Sequence, residues 1–95
     1  MPAIPNFAAR IDVAEIWLRS AERWGVDQAD AYIRAIEGRL QHACEFPESY
    51  PLYQESRGAF RKATSGSHMV FYRIDGEVID VVRILPNRMD PSEQI

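Results

Sequence analysis

Hydrophobic and polar positions alternate with two different periods along this chain. Between Phe7 and Trp24 the apolar residues Val13, Ile16, Trp17, Ala21 and Trp24 recur at helical spacing, with Asp12, Glu15, Arg19, Glu22 and Arg23 between them. That pattern predicts a helix over 7–24, with Gly25 as its stop. A second stripe, Ala29, Tyr32, Ile33, Ile36, Leu40 and Ala43, predicts another helix, with Asp27 as its N-cap, running to Phe46 before Pro47. Only Gly25 and Val26 separate the two, which predicts an antiparallel helical hairpin whose stripes face the same layer.

The period changes after Gly58. Three runs rich in β-branched and aromatic residues, Ala59–Thr64, His68–Ile74 and Val78–Leu85, are separated by Ser65-Gly66 and Asp75-Gly76. Asp-Gly is a strong hairpin signal, because both central residues of a type I′ turn take positive φ. A three-stranded antiparallel meander follows. Pairing Thr64 with Ser67 and Ile74 with Glu77 places Phe60, Met69, Phe71, Val78, Val82 and Ile84 on one face. The other face then holds Ala59, Arg61, Ala63, His68, Val70, Tyr72, Ile74, Ile79, Val81 and Arg83. Pro2 and Pro5 allow at most a short edge strand at the start, residues 47–58 read as an irregular connection, and Pro86 ends the last strand before a polar tail.

The predicted fold class is α+β, with an N-terminal antiparallel helical hairpin packed on one face of a curved, mainly antiparallel sheet in a single domain over residues 1–95. A hairpin covers one face of a meander, while both faces here are largely apolar. An apolar face left open on a protein of this size marks a partner site.

Composition narrows the classes. With 46% hydrophobic and 26% charged residues the chain reads as a soluble globular protein, and no apolar run approaches the length of a membrane span. The first ten residues lack the basic and apolar regions of a secretory signal, and a single cysteine gives no internal disulfide. The expected location is cytoplasmic, with no membrane partner. Neither a cofactor fingerprint nor metal-ligand spacing is present, so no cofactor and no metal is expected. A net charge of −3 argues against direct nucleic-acid binding by the chain alone. Residues 57–88 nonetheless carry six Arg/Lys against three Asp/Glu, so the β-rich half is locally basic.

Chemistry-bearing residues are few. His68 has Arg61 and Arg83 as expected cross-strand neighbours, a trio able to grip a phosphate; a half-buried histidine among solvated arginines is the plainer alternative. His42 reads as a surface residue and Cys44 as a packing residue. These residues do not demand an enzyme, and no catalytic residue is assigned.

Several segments carry a family resemblance. Asp12–Trp17 (DVAEIW), Trp24-Gly25 with Gln28-Ala29 and Tyr32, Gly66–Arg73 (GSHMVFYR), and Val82–Leu85 followed by Arg88-Met89-Asp90 span nearly the whole chain in one order. In these the chain resembles ParE, the toxin of ParDE type II toxin–antitoxin modules, within the ParE/RelE toxin superfamily.

The resemblance implies a non-enzymatic toxin that inhibits DNA gyrase by binding, halts growth, and is neutralised in a hetero-oligomer with a ParD-type ribbon-helix-helix antitoxin. The alternative it brings is the RelE-like branch, a ribosome-dependent mRNA endoribonuclease. That branch usually places a Tyr or His near the C-terminus; this chain has none after Tyr72 and His68, and has Pro86 after Leu85. For the gyrase contact the resemblance points to Arg83, Arg88 and Met89, with Arg61 and His68 next. For the antitoxin contact the expectation is the helical residues Trp17, Trp24 and Tyr32, or an open sheet face with Val70, Tyr72, Ile79 and Val81.

Overall fold

The computed structural model describes residues 1–55 and 58–95. A short strand β1 (Ala3–Pro5) leads into helices α1 (Phe7–Trp24) and α2 (Val26–Glu45), followed by β2 (Leu52–Glu55), β3 (Gly58–Ser65), β4 (His68–Asp75) and β5 (Val78–Pro86). A 3-10 turn, Pro91–Glu93, lies in the tail. The five strands form one sheet in the order β1-β5-β4-β3-β2, antiparallel except that β1 runs parallel to β5. The α+β reading and the helical hairpin on a mainly antiparallel sheet are thus what the chain adopts.

The helices begin and end for local reasons. Asn6 caps α1: its side-chain oxygen accepts from Ala9 N–H at 2.8 Å, while its own N–H donates to Val81 O at 2.9 Å and ends the β1–β5 pairing. Gly25 closes α1 through N–H to Ala21 O and opens α2 by accepting from Ala29 N–H, at a φ of 95° that favours glycine. Asp27, expected as the N-cap of the second helix, lies inside its first turn instead, and the cap is Gly25 with no side-chain bond. The junction is shorter than the sequence implies because one glycine serves both helices.

The stripe on α1 is rotated from the expected one. The deeply buried line is Ala9, Asp12, Ile16 and Ser20, with Val13, Trp17 and Ala21 half-buried beside it, and Trp24 is 60% exposed. On α2 the buried line is Ala29, Ile36 and Ala43. Small residues at these contacts let α1 pack over β5 and α2 over β3. Together they cover Ala63, Val70, Tyr72, Ile79, Val81 and Ile84.

Three details of the sheet depart from expectation. The segment read as an irregular connection contains β2, which pairs with β3 at Leu52↔Arg61 and Tyr53↔Phe60; residues 56 and 57 of that segment lie outside the described residues. Both turns fall one residue later than expected, since Ser65 pairs with His68 and Asp75 with Val78. That slips each register by two residues, which leaves the faces unchanged. The third departure does change them. A bulge between Phe71 and Tyr72 leaves Val82 without a counterpart, so Arg83 pairs with Phe71, Ile84 with Val70 and Leu85 with Met69. Ile84 therefore joins the helix-covered core, and Leu85 takes the opposite face.

The second face is not open. Phe60, Met69, Phe71, Val82 and Leu85 form a second buried cluster, packed against by Tyr53 from β2 and by Met89 and Ile95 from the tail. Tyr53 meets Phe71 edge-on, with ring centroids 5.6 Å apart. The tail is shaped for this role: the Asp90 carboxylate accepts from Ser92 N–H and Oγ–H, turning the chain so that Ile95 reaches back. The expected open sheet face is closed by the chain's own C-terminal segment, which the sequence presented only as a polar tail.

Candidate functional site

A groove of about 470 Å³ runs between the second half of α1 and the end of β5. One wall is Glu15, Ile16, Arg19, Ser20, Arg23 and Trp24. His68, Ile84, Leu85 and Pro86 come from the sheet, and Arg88, Met89 and Gln94 from the segment beyond it.

Asp12 and Arg83 fix the relation of helix to sheet at one end. The Asp12 carboxylate accepts from Arg83 Nε at 2.8 Å and Nη2 at 3.0 Å, a two-pronged ion pair, and also from the backbone N–H of Ile84 at 2.9 Å. That last bond matters for the sheet, because β1 ends at Pro5 opposite Val81 and offers the β5 edge no backbone partner beyond it. The hydrogen bond to Asp12 is the chief cause holding the Arg83 guanidinium above its ordinary pKa. Arg83 Nη1 also donates to Gln94 O at 3.1 Å, tying the tail to the same pair.

His68 lies at the other end, held from behind by Tyr32 of α2. The Tyr32 hydroxyl accepts from Ser67 N–H at 2.9 Å and lies 2.6 Å from His68 Nδ1. The phenol thus links the backbone of Ser67 to the imidazole ring and fixes the ring's orientation. Burial is the first cause that lowers the His68 pKa below its ordinary value; Arg88 adds to it and Asp12 opposes. Gly66 makes the arrangement possible: it sits at φ 56°, and a Cβ there would stand 2.9 Å from the Tyr32 hydroxyl. Asn87 then bonds the exit of β5 to this turn, through N–H to Ser67 O at 2.9 Å and Nδ2 to Gly66 O at 3.3 Å, and so positions Arg88 and Met89.

The residues singled out for a gyrase contact divide. His68, Arg83, Arg88 and Met89 all line the groove, whereas Arg61 does not. Arg61 stands opposite Tyr72, and its Nη1 donates to the carbonyls of Glu48 and Tyr50. The expected Arg61/His68/Arg83 trio is therefore not assembled: the bulge moves Arg83 to the Phe71 pairing, and each arginine has other fixed partners.

The residues singled out for an antitoxin contact divide too. Val70, Tyr72, Ile79 and Val81 are fully buried beneath the helices and offer no surface for docking. Tyr72 is held there by its hydroxyl donating to Pro47 O at 2.8 Å, and burial raises its pKa to about 12. Trp17 is half-buried, its indole N–H donating to Asp30 of α2 at 2.8 Å. Trp24 is on the groove rim, stacked with the Arg23 guanidinium at 4.8 Å. Tyr32 acts behind the groove rather than in it. His42, read as a surface residue, bonds through Nδ1 to the Tyr50 hydroxyl at 2.6 Å.

Sequence reasoning missed Asp12, Arg19 and Arg23. Asp12 carried one signal, an acidic residue in line with Ile16 on a helix, but its partner is 71 residues away. Arg19 and Arg23 share an α1 face at i, i+4, which is visible in the sequence once the groove shows that face to be relevant.

Among the described residues no group of three or more His, Cys, Asp or Glu side chains is placed to hold a metal ion, and no helix is long and apolar enough to cross a membrane.

Residues 7–91 match the family model described as the ParE toxin of the type II toxin–antitoxin system parDE. The chain is 44% identical over 89 residues to Toxin ParE1 of Mycobacterium tuberculosis, covering 93% of this chain and 91% of the relative. It is 35% identical over 82 residues to Toxin ParE1 of Caulobacter vibrioides, covering 86% and 84%. Among solved structures, a chain of the chromosomal ParDE TA system from P. aeruginosa superposes with a TM-score of 0.78 at 18% identity, over 90% of this chain and 95% of that one. At that identity the likeness speaks for the fold.

Proposed function

Because the chain belongs to the ParE toxin family of type II toxin–antitoxin systems, we propose that it arrests growth by binding DNA gyrase and is neutralised by a ParD-type antitoxin in a hetero-oligomer. The observation that carries this reading is the family match over residues 7–91, together with relatives named as ParE toxins over most of their length. The ParDE complex, whose chain shares this fold, supports an antitoxin as partner.

The groove supports action by contact. Its two most chemically suggestive side chains are held in place: Arg83 is paired with Asp12, and His68 Nδ1 is occupied by Tyr32. Arg88 and Met89 are the groove residues on the outgoing segment, free of any ion pair among the described residues, and are assigned to the gyrase contact with His68 beside them. Arg83 serves that contact by position, as the anchor of β5 and the tail.

The test is a supercoiling assay with purified gyrase, run beside a translation-coupled mRNA cleavage assay. Inhibition of supercoiling with no mRNA cleavage is expected, and Arg88→Ala weakens it about tenfold. Cleavage of mRNA without an effect on gyrase overturns the proposal.

A further inference from the structure

We infer that the outer face of α1 carries a heptad seam, formed by Phe7, Ile11, Ala14, Leu18 and Ala21, that pairs in parallel with the same seam of a second copy of this chain. This face points away from the sheet, and its use is independent of what the toxin acts on.

Helix α1 is apolar on two opposite sides. Its buried line is Ala9, Ile16 and the paired or small residues Asp12 and Ser20. At about 100° per residue, Phe7, Ile11, Ala14, Leu18 and Ala21 fall within an arc of about 80° centred opposite that line. Phe7 is 76% exposed, Ile11 43% and Leu18 53%; Ala14 is exposed and Ala21 half-buried. Single exposed aliphatic residues are ordinary on a protein surface. A continuous stripe of them along about 20 Å of one helix marks an interface.

Spacing identifies the kind of occupant. The intervals along the seam are four, three, four and three residues, an average period of about 3.5, at which one helix stays in register with another. Ile11 and Leu18 take the a positions and Phe7, Ala14 and Ala21 the d positions. A β-branched residue at a, as at Ile11, favours two parallel helices.

Charge on the flanks selects both partner and direction. Arg10 stands at g on one flank, and Glu15 and Glu22 stand at e on the other. In a parallel pair each g residue meets the e residue five positions on in its partner, so Arg10 of each copy meets Glu15 of the other, twice by symmetry. An antiparallel pair would set Glu15 against Glu22 and leave Arg10 without a carboxylate. Within one chain these charges are available: the ion pairs among the described residues are Arg73–Asp80 and Arg83–Asp12, and the Arg10 Nε bond to Pro5 O is long, at 3.4 Å. Because the seam is short and two of its five positions are alanine, the buried area falls below that of a permanent dimer, and the association is weak and reversible.

Sedimentation velocity on the full chain, from about 1 to about 300 μM, is expected to show a monomer–dimer equilibrium with a Kd on the order of 10 μM. Leu18→Glu raises that Kd at least about thirtyfold, whereas Leu52→Glu, the same change on β2 at a residue 58% exposed, leaves it within about twofold. Arg10→Glu and Glu15→Arg each weaken association about tenfold, and the two together restore it to within about threefold, because the pairs re-form with reversed sign. Circular dichroism establishes that each variant is folded. A protein that stays monomeric throughout the range, equal effects of Leu18→Glu and Leu52→Glu, or no recovery in the charge swap overturns the inference. So does binding of monomers to phosphatidylglycerol vesicles, lost in Leu18→Glu, in place of dimerisation.

Discussion

At the scale of single residues, the largest dependence falls on Asp12. Its carboxylate satisfies a two-pronged guanidinium and a backbone N–H at once, with its side chain nearly out of contact with water. Removing one member of such a pair leaves the other charge uncompensated, so Asp12→Ala should lower stability by about 3 kcal/mol. Urea unfolding with an unchanged m-value is the measurement; a loss within error of zero would show the pair to be replaceable by solvent. Replacing both partners by apolar residues should cost less than the two single changes together, because no orphaned charge remains. His68 gives a second, pH-dependent prediction. Its folded-state pKa lies below the unfolded value near 6.5, so the unfolded chain binds the extra proton more readily. Its contribution to stability is therefore present above about 6.5 and is lost as the pH falls from there through the lowered folded pKa. Unfolding midpoints should decline over that acidic window in the wild type, and less steeply in His68→Asn. An identical slope in both would assign the titration elsewhere.

Elements are shaped here by glycines and one bulge. Gly66 and Gly76 occupy comparable places in the two hairpins of the meander, with φ of 56° and 63°. An alanine at either must adopt the left-handed region, at a cost of roughly 1 kcal/mol. Only Gly66 is also overlain by Tyr32, whereas a Cβ at Gly76 meets open space. Gly66→Ala should therefore destabilise by about 1 kcal/mol more than Gly76→Ala, and Tyr32→Phe, which removes the nearest atom, should recover part of that excess. Equal costs, read from chemical denaturation of the three variants, would remove Tyr32 from the account. The bulge at Val82 acts on a larger set of side chains, since it sends Ile84 toward the helices and Leu85 toward the tail. No feature of the run Val78–Leu85 distinguishes this from a regular strand, because either alternation buries an aliphatic residue on each face.

For the whole molecule, the decisive fact is that two layers of different origin cover the sheet. The helices cover one face with 18 and 20 residues of regular structure, and the tail covers the other chiefly with Met89 and Ile95. Ending the chain at Arg88 should leave the helical content intact while exposing Phe60, Phe71, Val82 and Leu85, seen as dye binding and as concentration-dependent association in sedimentation. A truncated protein that remains monomeric and binds no more dye than the full chain would mean that the tail contributes no cover. The same tail, through Met89 and Gln94, lines the groove, so truncation should also alter what the groove accepts.

The residue pattern by itself determined the helical hairpin, the three-stranded meander and the family, because these depend on local periodicity, turn glycines and short segments whose spacing along the chain carries the information. It also marked His68, Arg83, Arg88 and Met89, which the fold gathers at one groove. Tertiary structure alone decided the rest. The pairing of Asp12 with Arg83, the bulge, the closure of the second face and the convergence of Arg19 and Arg23 on Arg88 all join residues distant in sequence. Periodicity states which residues need burial or a counter-charge; which surface or side chain answers that need is settled by packing in three dimensions.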